Sequence, residues 1–122
     1  MRIIAGKYGK RIFKAPSGHR THPMSEKARG ALFNALGDIH GFRVLDSYAG
    51  SGALAFEALS RGASFAQCVD NSKNAHKNMK ETAEMLDLEE EIKITCANIS
   101  TWSDNNADEL FNIVFVDPPY HS

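Results

Sequence analysis

The sequence predicts an open, Rossmann-like α/β fold built on a parallel sheet, and three observations carry this. From residue 41 onward short apolar runs alternate with helix-patterned segments in the order strand, turn, helix. The first of those turns is glycine-rich. The 122 residues, 43% hydrophobic and 24% charged, suit one soluble domain with a single core. Parallel strands joined through helices cross over right-handed, which puts the carboxyl ends of the strands, where ligands bind, on one edge.

Before that rhythm starts, "RIIA" and "RIFKA" flank "GKYGK", a pattern for a β-hairpin with a glycine-containing loop. "PSGHRTHP" then breaks regular structure. In "SEKARGALFNAL", Ser25 is placed as an N-cap, Ala28, Leu32, Ala35 and Leu36 share one helical face, and the helix ends near Gly37. "FRVLD" is a short buried strand and "SYAGSG" its turn. "ALAFEALSRG" is a helix with Leu54, Ala55, Ala58 and Leu59 on one face and Gly62 at its end. "SFAQCVD" is the second strand. The next helix starts near Ser72, with Ala75, Met79, Ala83 and Leu86 in its stripe, and the acidic "DLEEE" closes it. "IKITCA" is a third strand, "STWSDNNADEL" a short helix or loop, and "NIVFVD" a fourth strand. The chain thus divides into residues 1–40, a basic hairpin and helix, and residues 41–122, a ligand-binding core, within one compact domain.

The overall charge of -1 hides a separation along the chain. Residues 1–40 carry eight Lys or Arg against two acids, Glu26 and Asp38, while the rest is strongly acidic. Clustered cations release counterions from phosphates, so a basic arm on an acidic body is the footprint of a polyanion binder. No apolar run approaches the roughly 20 residues that span a bilayer. "MRIIAGKYGK" lacks the apolar region and cleavage site of a secretory signal, so the expected location is the cytoplasm, away from membranes. Cys68 and Cys96 stand in apolar strands without the paired spacing of a zinc site, so both are expected to be buried free thiols, with no metal centre.

Chemistry concentrates in two stretches. In "VLDSYAGSGALAFEAL", Gly50 and Gly52 lie between a strand's carboxyl end and a helix's amino end, where backbone approaches a ligand closely and N–H groups are unpaired. Gly50-x-Gly52-x-x-Ala55 with Asp70 at the end of the next strand also fits a dinucleotide fingerprint, and in either case Asp70 is placed to accept from ribose hydroxyls. Asp46 discriminates: a carboxylate before the turn sits awkwardly against a pyrophosphate but suits the cationic amine of S-adenosylmethionine. The second stretch is "VDPPY". The exocyclic amine of a nucleobase is a poor nucleophile until acceptors draw it toward tetrahedral geometry. Asp117 and the carbonyl of Pro118 can accept its two hydrogens, Pro118 and Pro119 stiffen the backbone, and Tyr120 offers a face for an extruded base.

"MRIIAGKYGKR", "HPMSEKARGALFNAL", "VLDSYAGSGALAFEALSRGA" and "DPPY", in this order, resemble the RsmD-type 16S ribosomal RNA guanine-N2 methyltransferases of bacteria. The resemblance implies a class I methyltransferase fold, S-adenosylmethionine as donor, and guanine 966 of 16S rRNA, in the 30S subunit or an assembly intermediate, as substrate. It further implies that Asp46, Ala49, Gly50 and Gly52 contact the donor's amino-acid part, Asp70 its ribose and Asn98 its adenine. Asp117, Pro118, Pro119 and Tyr120 would hold the target amine. The basic hairpin, with Arg2, Lys7, Lys10, Arg11, Lys14 and Arg20, would grip RNA phosphates. His22-Pro23-Met24 stands where the family usually has Arg-Pro-Thr, leaving His22 as the candidate beside the donor, and Asn98 stands where an acid is common. The family's chains continue past the tetrapeptide, so this one reads as cut short there, with its parallel sheet incomplete on that side. "IVFV" is then expected to be an apolar edge open to self-association or to a second polypeptide.

Three other readings compete: a DNA adenine-N6 methyltransferase, which uses the same tetrapeptide; a non-catalytic RNA-binding or assembly module; and, more distantly, a nicotinamide dehydrogenase, for which no substrate domain is visible.

Overall fold

The computed structural model describes residues 2–9 and 24–118. Its elements in chain order are α1 (Glu26–Leu36), β1 (Arg43–Asp46), α2 (Ala53–Ser60), β2 (Phe65–Asp70), α3 (Lys73–Met85), β3 (Ile92–Cys96), α4 (Ile99–Asn105) and β4 (Ile113–Phe115). The strands form one sheet in the order β3-β2-β1-β4, every pair parallel. This is the predicted α/β, Rossmann-like architecture.

Local chemistry sets the helix ends. Ser25 Oγ accepts from the Ala28 amide and Ser72 Oγ from the Ala75 amide, so each serine satisfies a first-turn donor. Strand alternation sends Val44, Ala66 and Cys68 to one face of the sheet, where α2, α3 and Phe33 of α1 cover them. Leu45 and Val69 point to the other face, against Trp102 of α4.

Several expectations need correction. On α1 the buried residues are Arg29 and Phe33, while Ala28, Ala35 and Leu36 are exposed. The helix is rotated from the alanine stripe because Phe33 packs on Phe115, ring centroids 5.7 Å apart, and Arg29 meets the buried Glu57. On α2 there is no single apolar face: all residues from Leu54 to Ser60 are buried. Cys68 is buried, but Cys96, last in the edge strand β3, is exposed. The second half of the expected hairpin lies outside the described residues; of its first half, residues 2–9 contain one bridge residue, Arg2, followed by turns, with the Ile4 and Ala5 amides donating to Glu57. "RIFKA", with Lys10, Arg11 and Lys14, lies outside the described residues, as do Arg20, His22, Pro119 and Tyr120.

β4 lies at an edge of the sheet among the described residues, in line with the expectation drawn from the family resemblance. Val114 and Val116 are 52% and 66% exposed, whereas Phe115 between them is buried.

Candidate functional site

The parallel sheet brings three carboxylates to one edge. Asp46 ends β1, Asp70 ends β2, and Asp117 follows β4 by two residues. Asp46 pairs in register with Cys68 and with Phe115, so Asp70 and Asp117 each stand two residues beyond its level on either side.

The turn after β1 threads between these strands. The Ser47 amide donates to the Phe115 carbonyl at 3.0 Å and the Ala49 amide to the Val69 carbonyl at 3.1 Å. The Gly52 amide then closes a turn onto the Ala49 carbonyl at 2.8 Å. Gly50 and Gly52 both adopt left-handed φ, +57° and +82°. They differ in surroundings. A Cβ on Gly52 would meet the Phe56 ring at 2.6 Å, so this glycine is required by packing as well as backbone. A Cβ on Gly50 would project into open space, on the side where a ligand could lie.

Asp70 braces this turn. Its Oδ2 accepts from the Gly50 amide and its Oδ1 from the Ser72 amide, both at 2.9 Å. An ionised carboxylate has about four acceptor sites, so capacity for hydroxyl donors remains on each oxygen.

Asp46 is different. It is 1% exposed, and neither carboxylate oxygen accepts a full hydrogen bond among the described residues, although the Ala55 and Tyr48 amides lie close enough to act on its charge. Burial, then the charge of Asp117, then that of Asp70 push its pKa from 3.8 up to about 7; the Ala55 and Tyr48 amides offset this only in part. A buried carboxylate without a partner is costly unless a cation or donor joins it. That vacancy of bonding fits a ligand bearing an ammonium, and it is ill suited to a pyrophosphate. Burial, then the charges of Asp46 and Asp70, raise the Cys68 thiol well above its usual range, leaving it a packing group rather than a nucleophile.

Asn98 takes a role that sequence reading did not foresee. It is the N-cap of α4, its Oδ1 accepting from the Ser100 amide at 2.8 Å and from the Thr101 amide at 3.4 Å. Its oxygen is therefore already engaged, although the residue remains exposed. Asp117 is half-buried and Pro118 exposed beside it. Arg2 forms a two-pronged pair with Glu26, with both contacts at 3.0 Å, and Lys7 Nζ lies 5.5 Å from the Tyr8 ring centre. Arg29, one of the eight N-terminal bases, is buried against Glu57 and contributes no surface charge. Among the described residues no group of three or more His, Cys, Asp or Glu could hold a metal ion, and no helix is long and apolar enough to cross a membrane.

Sequence reading missed Glu57 and Ser60. The available signal was a lone acid inside the otherwise apolar "ALAFEALS": a helix buried on all sides must pair any charge it carries.

Comparison with known proteins bears on this arrangement. The model of the family described as "Conserved hypothetical protein 95" matches residues 1–122. YlbH of Bacillus subtilis, a protein proposed to be an rRNA methyltransferase, is 34% identical over 98% of this chain and 67% of its own. Ribosomal RNA small subunit methyltransferase D of Haemophilus influenzae is 32% identical over 99% of this chain and 64% of its own. The solved structure of a proposed methyltransferase of Escherichia coli, yhhF, superposes with a TM-score of 0.85 at 31% identity, over 98% of this chain and 64% of that one. The chain thus spans less than two thirds of the last two proteins' lengths.

Proposed function

This chain belongs to the Conserved hypothetical protein 95 family, the RsmD family, and on that premise we propose that it acts as an S-adenosylmethionine-dependent rRNA methyltransferase. The finer reading is transfer of a methyl group to the exocyclic N2 of a guanine in 16S rRNA, guanine 966, in the 30S subunit or an assembly intermediate in the cytoplasm. The observation that carries it is Asp46: a carboxylate buried at the carboxyl end of the central parallel strands with no full hydrogen bond among the described residues, beside a glycine turn with one open side.

In this reading the donor supplies an electrophilic methyl on a sulfonium. Asp46 accepts its ammonium, the Ala49–Gly52 backbone lies along its amino-acid part, and Asp70 uses its remaining acceptor sites for ribose hydroxyls. Asn98 serves the adenine through its amide nitrogen and the remaining capacity of its engaged oxygen, with His22 nearby. Asp117 and the Pro118 carbonyl accept the two hydrogens of the target amine and so free its lone pair for in-line attack, with Pro119 and Tyr120 completing the pocket. Arg2, Lys7, Lys10, Arg11, Lys14 and Arg20 bind phosphates. The β4 edge, with Val114 and Val116 exposed, serves pairing with a second copy or another polypeptide.

Calorimetric titration with S-adenosylhomocysteine, beside Asp46→Asn, tests the reading, followed by transfer of labelled methyl to 30S particles and to DNA. Saturable binding lost in Asp46→Asn, and labelling of 16S rRNA rather than DNA, is the expected result. RNA binding by a folded chain that ignores the donor analogue would replace this reading with the non-catalytic RNA-binding one.

A further inference from the structure

Beyond the turn that faces the donor site, α2 carries a second set of polar groups. Glu57 is wholly buried, and its carboxylate receives the N-terminal segment: Oε1 accepts from the Ile4 amide at 2.8 Å and Oε2 from the Ala5 amide at 3.1 Å. Its charge is balanced by Arg61, whose Nε donates to Oε2 at 2.7 Å, and by Arg29, whose Nε lies 3.8 Å from Oε1. Arg29 also donates to the Arg2 carbonyl.

One turn along, Ser60 repeats the arrangement. Its Oγ accepts from the Tyr8 amide at 2.8 Å and donates to the Ala5 carbonyl, and its own carbonyl accepts from the Lys7 amide at 2.8 Å. Gly6 crosses this point with φ +81°, and a Cβ there would stand 2.0 Å from the Ser60 carbonyl oxygen, a contact no side chain can make. Ile3 is buried in the core beside these contacts. Four backbone amides of residues 2–9 are thus held by two residues of one helix.

We propose that the second half of α2 is the mooring of residues 2–9, the described part of the basic N-terminal arm, and that Glu57 and Ser60 are positioning residues for the contact of this stretch with RNA phosphates. The step from mooring to RNA rests on the function proposed above. Cations fixed on an ordered backbone lose less entropy on binding than cations on a loose tail, so a moored arm binds more tightly with the same charges. Because α2 begins at the donor turn and moors the arm from its far end, one rigid helix sets the spacing between the two.

Gly6→Ala dislodges the arm from the outside and leaves the buried ion pairs in place; Ser60→Ala removes the hydroxyl alone. Amide hydrogen exchange, S-adenosylhomocysteine affinity, and 16S rRNA affinity across a salt series are measured on the full chain and on both variants. In Gly6→Ala we expect exchange of Ile4, Ala5, Lys7 and Tyr8 to accelerate by about tenfold or more, as local opening replaces a closed contact. Donor-analogue affinity stays within about twofold, while RNA binding weakens and its log–log salt slope becomes shallower by about 1 to 2, as expected on losing one or two fixed cations. A merely structural role would not separate RNA affinity from donor affinity in this way. Unchanged exchange in Gly6→Ala overturns the mooring. Released amides with unaltered RNA affinity and slope overturn the positioning role. If the unsubstituted chain binds no RNA, the RNA reading and the positioning role fall together, and the exchange data still decide whether the arm is moored on α2.

Discussion

Asp46 and Asp70 end neighbouring parallel strands, yet Asp70 accepts full hydrogen bonds from Gly50 and Ser72, while neither oxygen of the buried Asp46 accepts one among the described residues. One carboxylate therefore builds the turn, while the other is buried with its acceptor sites unfilled among the described residues.

The stability of the ligand-free chain carries the mark of Asp46. Its folded pKa of about 7 lies above the ordinary 3.8, so between those values the folded chain holds a proton the unfolded chain has shed. Stability therefore falls as pH rises through that window, and the loss is complete above pH 7. A three-unit shift corresponds to a loss on the order of 4 kcal/mol. Urea denaturation at several pH values should give a steeper decline for the native chain than for Asp46→Asn. Parallel profiles would mean that Asp46 ionises normally.

Ligand binding should move the same proton. An ammonium beside Asp46 requires the carboxylate form, so S-adenosylhomocysteine binding below pH 7 releases a proton. Affinity then rises by up to about tenfold per pH unit and levels off above pH 7. Calorimetry in buffers of different ionisation enthalpy measures that release directly, and a proton count of zero at pH 6 would contradict it.

The two glycines of the turn should fail in different ways. Gly52→Ala forces a methyl into Phe56 at 2.6 Å in addition to backbone strain, and a loss of about 2–4 kcal/mol in folding stability is expected. Gly50→Ala meets nothing within 4 Å, so it loses only about 1 kcal/mol to its left-handed φ. Its methyl nevertheless stands in the open side of the turn, and donor-analogue affinity should drop while the melting temperature barely moves.

Which face of α1 is packed can be tested by a pair of truncations. Phe33→Ala empties the contact with Phe115 and should lose about 3–5 kcal/mol, whereas Leu36→Ala at an exposed position should stay within about 0.5 kcal/mol. Equal losses in urea denaturation would restore the alanine-stripe orientation.

Where apolar periodicity was strong, the fold was legible in the sequence. Ala75, Met79, Ala83 and Leu86 mark the buried stripe of α3, and Ser25 and Ser72 announce their helices by local capping that depends on residues only three positions away. The aspartates at the strand ends could be placed because a parallel sheet puts every carboxyl end on one edge. The orientation of α1 could not, because it depends on Phe115 and Glu57, which are distant in sequence. The work of Glu57 was hidden for the same reason: it accepts from amides 53 and 52 residues upstream. The capping of α4 by Asn98 was not legible because the start of that helix was not marked by any apolar stripe, and the segment read as a short helix or a loop.

The all-parallel sheet also has a kinetic consequence. None of these four strands can pair with its neighbour through a tight turn, and β1 acquires β4 only after the whole segment between Asp46 and Ile113 has been made. Contacts this distant make folding slow, and during that interval one side of β1 is an unpaired edge. The nascent chain is then most exposed to mispairing just before β4 arrives, so lowering the expression temperature should favour soluble protein more than it would for a helical protein of equal size.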